Sequence, residues 1–384
     1  MSVKNTIKYF GYYDSQLNEQ EDRSFSPAAK NKMDYICHVL NRCGYDVCIV
    51  SPCITRKSQV LLGKKLKLDE QNSLRLFMTL GRGSRLRHAL DYLLHYLLLF
   101  IYVMRHVKKD ELILVYHSLG FRNLINFAKR IRGFKVILEV EEIYQDAVDC
   151  SSRMQCFEYK SFNNADAFIF PSALLNTLVN KNNLPYLLIH GAYSVSDISI
   201  QHCPRQLIHV VYSGTFDLRK GGALAAINAG LFLPDIYHVH ILGFGSDQDV
   251  ENIIEMIANV NDRSSAKITY DGLLPEHEFK EFLHTCHIGL STQNPDIALS
   301  DTCYPSKILL YMAHGLQVVS ARIKVVETSA IGQYVEFYDE NSPQDIAKAI
   351  IRLGLNQKVD GRAILNKLDK ELVVEMPAFL KKSC

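Results

Sequence analysis

Three strand-like segments in the second half of the chain end in glycine: VVYSGT at Gly214, ILGFG at Gly243 and ITYDG at Gly272. A residue without a Cβ at a strand end lets the backbone approach a ligand closely. Lys220 stands just before Gly221, where a helix opens, and can reach a phosphate as a point charge. The pattern G-x-x-x-x-G-K-[ST] is absent, so this is not a Walker loop. Further on, YPSKILLYMAHG reads as a turn, a short apolar helix and a stop. Ser306 suits the N-cap and Gly315 the C′ position. Lys307 falls in the first turn, where the helix dipole disfavours a cation. It fits there if an anion shares the helix N-terminus; the plain alternative is a solvated lysine on an amphipathic helix. Together these strand ends and the helix line one edge of one sheet, and the chemistry they suit is phosphate binding.

A second group lies in the first half. LEVEEIY ends a strand with Glu141 and Glu142. Adjacent carboxylates on an extended chain point to opposite faces, so at most one serves a given cleft; the alternative is that they cap the next helix through its dipole. His117 ends ELILVYHS, and a lone histidine there is either a site residue or a structural one. The ten cysteines are scattered without a CxxC pair or zinc spacing, as reduced thiols are. No DxD-type motif falls at a strand end, and no essential metal or other cofactor is expected.

The elements that must position these residues alternate. IKYFGYY, YDVCIVSP, ELILVYHS, FKVILEVEE and ADAFIFPS read as buried parallel strands, with PAAKNKMDYICHVLNRCG and FRNLINFAKRIRG as helices between. The rhythm lapses over 194–206 and restarts at LIHVVYSGT. The expected fold is α/β: two doubly wound, Rossmann-like parallel-sheet domains facing across a cleft, where ligands bind at strand carboxyl ends. The expected division is 1–193, a linker at 194–206, a second domain at 207–355, and a helical tail at 356–384 packing back toward the first domain.

The chain has 384 residues, 48% hydrophobic and 22% charged, with net charge +2, which fits a soluble globular protein and says nothing of nucleic acid. The charge is uneven: 56–109 holds 12 Lys/Arg against 3 Asp/Glu. The same segment contains ALDYLLHYLLLFIYVM (89–104), shorter than the roughly 20 residues that span a bilayer. It is either a buried helix of the sheet or part of an interfacial patch in which Lys64, Lys65, Lys67, Arg82, Arg85 and Arg87 meet anionic headgroups. The N-terminus lacks the apolar core of a signal peptide.

SGTFDLRKGG, ILGFG, ITYDGLLPEHEFKEFLHTCHIGLS and YPSKILLYMAHGLQVVS, in that order, resemble the C-terminal domain of GT-B glycosyltransferases. The nearest group is the large retaining family (family 4-like) with many bacterial lipopolysaccharide and capsule enzymes. The likeness covers about 210–350. The strand–loop–helix GYYDSQLNEQEDRSFSPAAKNKMDYICHVLNRCGYDVCIVSP looks more loosely like the first domain of polysaccharide-synthesis transferases. The resemblance implies transfer of a sugar from a nucleotide-diphosphate sugar, a UDP-sugar by preference, to a glycan or lipid-linked acceptor. Gly214, Thr215, Lys220, Gly243, Gly272, Ser306, Lys307 and Leu310 fall on donor-binding positions. Lys220 matches the pyrophosphate lysine; Glu141 and Glu142 stand where the family often has His-Asp, near the transferred sugar and acceptor, and Glu141 is expected to orient one of them. Tyr13, Asp14, Arg23, His117 and Glu142 fall on the acceptor side. Thr215 replaces a frequent arginine; Thr302 and Leu310 replace two glutamates, the second of which holds the ribose. Either Asp301 or another group takes that role, or catalysis is lost. Two alternatives follow: a non-catalytic partner subunit, or a sugar-nucleotide epimerase of the same architecture. The expected location is cytoplasmic, peripheral on the inner membrane face through 56–109, with no nucleic-acid partner.

Overall fold

The computed structural model describes residues 5–144, 152–195, 207–216, 221–294, 302–355 and 359–384, with backbone alone at 152–156 and 354–355. It divides into two compact units, Met1–Ala192 with Lys370–Cys384, and Tyr193–Asp369.

The first unit is built on an eight-stranded sheet. Its strands are β1 (Thr6–Phe10), β2 (Asp46–Ser51), β3 (Lys64–Lys67), β4 (Asn72–Leu76), β5 (Leu112–Tyr116), β6 (Lys135–Glu139), β7 (Ala167–Phe170) and β8 (Tyr186–Leu188), in the order β3-β4-β2-β1-β5-β6-β7-β8. All pairs are parallel except β3 with β4. The central strands are almost wholly buried, as their unbroken apolar runs require. The chain reverses strand order around β1, so the loops after β1, β5 and β6 share one edge. Helix α1 (Pro27–Arg42) opens with Ser26 accepting from Ala29 N–H and Pro27 at the first position. Its buried stripe includes Ala29, Met33, Ile36 and Leu40. The C-terminal Met376 and Leu380 line a small apolar cavity with Ile7, Ile36 and Leu40, which ties the tail to this unit.

The apolar segment at 89–104 belongs to a longer helix, α2 (Arg85–His106), whose 22 residues are long and apolar enough to cross a membrane. The length estimate from sequence was therefore too short. One face of α2 is nonetheless built for this sheet: Asp91, His95, Leu99 and Val103 are buried. Asp91 accepts from Thr79 Oγ1 (2.6 Å) and Leu80 N (2.7 Å), which explains a carboxylate inside an apolar helix. Helix α3 (Arg122–Arg132) packs beside it, with Phe100 stacked on Phe127 at 5.9 Å. Helices α4 (Ser152–Phe162) and α5 (Ala173–Val179) complete the unit's crossovers.

The second unit carries a six-stranded parallel sheet. Its strands are β9 (Ile208–Thr215), β10 (Tyr237–Phe244), β11 (Lys267–Gly272), β12 (Ile288–Ser291), β13 (Gln317–Ala321) and β14 (Glu336–Tyr338), ordered β11-β10-β9-β12-β13-β14. Between them run α6 (Gly222–Ala229), α7 (Asp247–Asn261), α8 (Glu276–Thr285), α9 (Ser306–Ala313) and α10 (Lys324–Glu327); α11 (Pro343–Leu355) follows β14, and α12 (Gly361–Lys382) starts in this unit and ends in the first. Here β9 lies between β10 and β12, so the strand order reverses at its carboxyl end. That is where an open α/β sheet leaves a crevice.

Candidate donor-binding edge and carboxylate cluster

The three glycine-marked strand ends meet in the second unit. Gly214 and Gly243 are registered partners on β9 and β10, and Gly272 pairs with Leu242 across β10 and β11. Gly243 has φ +142°, and a Cβ there would lie 1.8 Å from Gly214 O. Only glycine lets these two strand ends approach so closely. Gly221 (φ +63°) precedes α6, and a Cβ on Gly222 would lie 2.4 Å from Thr292 O, whose side chain donates to Gly222 O at 2.8 Å. Thr215 is exposed at the end of β9. Lys220 and Asp301 lie outside the described residues.

Helix α9 brings Lys307 to the same place. Its Nζ sits 4.2 Å over the Tyr212 ring, a cation–π distance. A Cβ on residue 214 would meet that Nζ at 3.1 Å, so Gly214 leaves the lysine its room. Tyr311, fully buried on α9, bonds Ser213 N (2.9 Å) and Ser213 Oγ (3.0 Å), which fixes the helix against the β9 end. Neither Tyr212 nor Tyr311 was singled out by the sequence. The cap is different from the expectation: α9 begins at Ser306, with Pro305 as N-cap and no side-chain cap bond. A proline preceding the first turn already fixes φ there, so the Ser306 hydroxyl stays exposed rather than capping. Gly315 does hold the left-handed C′ conformation, φ +78°. Leu310 is half-buried and Thr302 buried, and neither side chain carries a carboxylate.

In the first unit the carboxyl end of β6 forms a charged cluster. Glu139 is fully buried and accepts from Tyr9 Oη. Burial, then the neighbouring Glu141, push its carboxyl up to about 8. Lys32 is buried on α1, donates to Ile189 O, and its Nζ lies 3.1 Å from Glu141 Oε1. That contact is within ion-pair range but off line for a hydrogen bond. The periodicity of α1 already placed Lys32 on the apolar stripe, three residues after Ala29 and four before Ile36; this was the missed signal. Glu142 follows, half-buried.

The remaining acceptor-side candidates are drawn into the framework. His117 is 1% exposed, donates from Nε2 to Glu158 (2.7 Å) and stacks on Tyr144 at 5.4 Å. Burial lowers its pKa, against the opposing pull of Glu158. Glu158 also accepts from Tyr144 N (3.1 Å), so this pair holds the loop that carries Glu141 and Glu142. Arg23, 1% exposed, donates to Cys53 O and Phe77 O (2.9 Å each) and to Glu21 (2.7 Å), tying the long loop to the ends of β2 and β4. Tyr13 donates to Asp34 (2.6 Å), and Asp14 accepts from Asn18 Nδ2 (3.0 Å) and Ser15 N (2.9 Å). The structure brings none of Tyr13, Arg23 or His117 to the Lys32–Glu141 contact.

The raised acid gives a pH-dependent expectation. A carboxyl whose folded pKa lies above its unfolded value near 4.5 costs nothing below that pH; the cost grows from there as pH rises to about 8, because only the unfolded chain releases the proton, and is constant above it. Glu139→Gln keeps an acceptor for Tyr9 and removes the ionisation. The variant should therefore gain stability relative to the parent between pH 5 and 9, on the order of a few kcal/mol. Urea midpoints at the two pH values measure this; parallel profiles would contradict it.

No family model matches the chain, and no curated protein matches it by sequence. Solved structures do. An α,α-trehalose-phosphate synthase (UDP-forming) from Burkholderia xenovorans, in complex with glucose-6-phosphate, superposes with TM-score 0.66 at 12% identity over 99% of this chain and 100% of that one. The lipopolysaccharide outer core galactosyltransferase WaaB gives 0.63 at 12% identity, 99% and 100%. Anabaena HepE in complex with UDP gives 0.64 at 12% identity, 98% and 99%. The fold is GT-B. The second unit carries the glycine-lined edge and Lys307. The first unit carries the Glu139–Glu141–Lys32 cluster.

Proposed function

We propose that this protein is a glycosyltransferase that moves a sugar from a nucleoside-diphosphate donor, a UDP-sugar, to a glycan or lipid-linked acceptor in surface polysaccharide synthesis. The observation that carries the reading is the edge at Gly214, Gly243, Gly272 and Lys307, where strand ends without Cβ atoms leave room for close backbone approach and an ammonium stands beside them; in the proposal they stabilise a departing diphosphate. The structural neighbours named as UDP-forming, as in complex with UDP and as a lipopolysaccharide outer core galactosyltransferase agree with it. In the proposed reaction the glycosyl–oxygen bond to the diphosphate breaks and a bond to the acceptor hydroxyl forms. The acceptor proton goes to a leaving phosphate oxygen on the same face, so the anomeric configuration is retained. Lys220 and Lys307 hold the diphosphate, and Glu141 orients the sugar or acceptor. The donors supply the charge that a metal ion would, so turnover needs no added divalent cation.

Incubating the full chain with a panel of nucleotide sugars, with and without lipid-linked acceptors, tests the reading. Acceptor-dependent release of nucleoside diphosphate supports it. Interconversion of free nucleotide sugars would make the protein an epimerase. Absence of either, with nucleotide bound or not, would favour the non-catalytic subunit that Thr302 and Leu310 suggest.

The same proposal places the protein on the inner face of the cell membrane. Leu86, Leu90, Leu93, Leu97 and Ile101 form an exposed stripe on α2 at helical spacing, and only 22% of its most apolar stretch is buried. Arg82 and Arg85 flank its start, exposed. Lys64 is less available, held by Glu21 at 2.7 Å. Binding to vesicles containing anionic lipid is expected at low salt. It should fall as the Debye length shrinks below about 8 Å, and in Leu93→Glu/Leu97→Glu. Equal binding to neutral and anionic vesicles would contradict the basic flank.

A further inference from the structure

Away from the donor edge, near the amino ends of the strands, the second sheet carries three histidines that no part of the proposed reaction uses. His209 is the second residue of β9; His238 and His240 are the second and fourth of β10. Register pairs His238 with His209, so alternation puts all three rings on one face. Their centroids are 3.9 Å apart for His238 and His240, 5.2 Å for His209 and His240, and 5.6 Å for His209 and His238. One nitrogen from each lies within 4.8 Å of the others. His240 is buried, whereas His209 and His238 keep partial access to solvent.

The partners around the rings have the form of a ligand-orienting shell. Asp271 on β11 accepts at His240 Nδ1 (3.1 Å), which leaves His240 Nε2 facing His209 Nδ1 at 2.9 Å. Thr269 Oγ1 bonds His238 Nε2 at 3.0 Å. A carboxylate behind a histidine fixes its tautomer and raises its basicity as a metal ligand. Two imidazole nitrogens facing each other share a single proton, and a metal ion replaces that proton. Zn–N bonds of about 2.0–2.1 Å at a tetrahedral angle set the nitrogens roughly 3.3 Å apart, a few tenths of an ångström beyond the observed contact. Phe282 of α8 covers His240 edge-on at 5.1 Å and closes one side.

We propose that His209, His238 and His240 bind a divalent transition-metal ion, zinc, with Asp271 orienting His240. The ion joins the amino ends of β9 and β10. His209 precedes Gly214 by five residues of one strand, roughly 16 Å, so the site is separate from the donor edge and its role is to brace the sheet. Nitrogen ligands select zinc over magnesium, which takes oxygen.

The test uses the untagged full chain stripped with a chelator and titrated with Zn2+ against a chromophoric competitor, with Co2+ as a spectroscopic probe of tetrahedral ligation. One ion per chain is expected, with micromolar or tighter affinity and a rise in Tm. His238→Ala and His209→Gln should each weaken binding at least about a hundredfold, and Asp271→Asn about 10–100-fold, the usual effect of losing an orienting carboxylate. Two variants guard against a folding failure at either position, and circular dichroism identifies a folded one. His314→Ala is the control, because His314 and His284 form another imidazole pair at 2.9 Å. Binding unmoved in folded His238→Ala or His209→Gln, binding lost in His314→Ala, or no binding of Zn2+ at 1:1 overturns the proposal.

Discussion

Gly243→Ala is expected to abolish nucleotide binding and to destabilise the second unit by more than about 2 kcal/mol, the range for a side chain forced into a special backbone position. Two causes add. The residue sits at φ +142°, which side chains avoid, and its Cβ would lie 1.8 Å from Gly214 O, a backbone atom that cannot swing aside. The ends of β9 and β10 must separate, and with them the positions of Gly214 and Lys307. Gly272→Ala provides the comparison. It shares a positive φ, +80°, but nothing stands within 4 Å of its Cβ, so the cost is only the left-handed conformation, about 1–2 kcal/mol. Thermal unfolding and UDP titration of both variants measure the order. A Gly272→Ala more damaging than Gly243→Ala would contradict the packing account.

Lys307→Ala is expected to lower kcat/KM by about tenfold to a hundredfold, since a charge-assisted contact to a phosphate contributes roughly 1.5–3 kcal/mol. The helix itself should not suffer. A cation in the first turn of α9 is disfavoured by the dipole, and its removal leaves Tyr311 to hold the helix against Ser213. Loss of the Lys307–Tyr212 cation–π contact offsets that gain, so the loss should appear in kinetics with little change in Tm. Lys307→Arg restores charge but needs more room beside Gly214 and over the Tyr212 ring, so partial recovery is expected. Unchanged kinetics in Lys307→Ala would remove this residue from the donor edge.

The alternation of strands and helices was legible because buried parallel strands read as short apolar runs, and the glycine ends were legible because close backbone approach admits nothing larger. Other features left weaker traces. The strands β3 and β4 were missed: KKLK and NSLRL are short and mix polar with apolar residues, and β3 is the edge strand, where lysines serve to block further pairing. His117 looked like a site residue because it ends a strand, and Arg23 because it lies in the first long loop. Both satisfy backbone or carboxylate groups from elements distant in sequence, and spacing cannot reveal that. The carboxylate cluster depends on Tyr9, Lys32 and Glu139 arriving from three elements, so only Glu141 was identified beforehand. The histidine face shares that difficulty, since its register between β9 and β10 is a tertiary fact.

The central claim is that the edge formed by Gly214, Gly243, Gly272 and Lys307 receives the diphosphate of a nucleotide sugar. Comparing the affinities of UDP, UMP and uridine for the full chain tests it most directly. The account predicts that UDP binds at least about a hundredfold more tightly than uridine, the worth of one or two charged contacts, and that Lys307→Ala removes a large part of that difference. Equal affinity for UDP and uridine, or a UDP preference untouched by Lys307→Ala and Gly243→Ala alike, would contradict it.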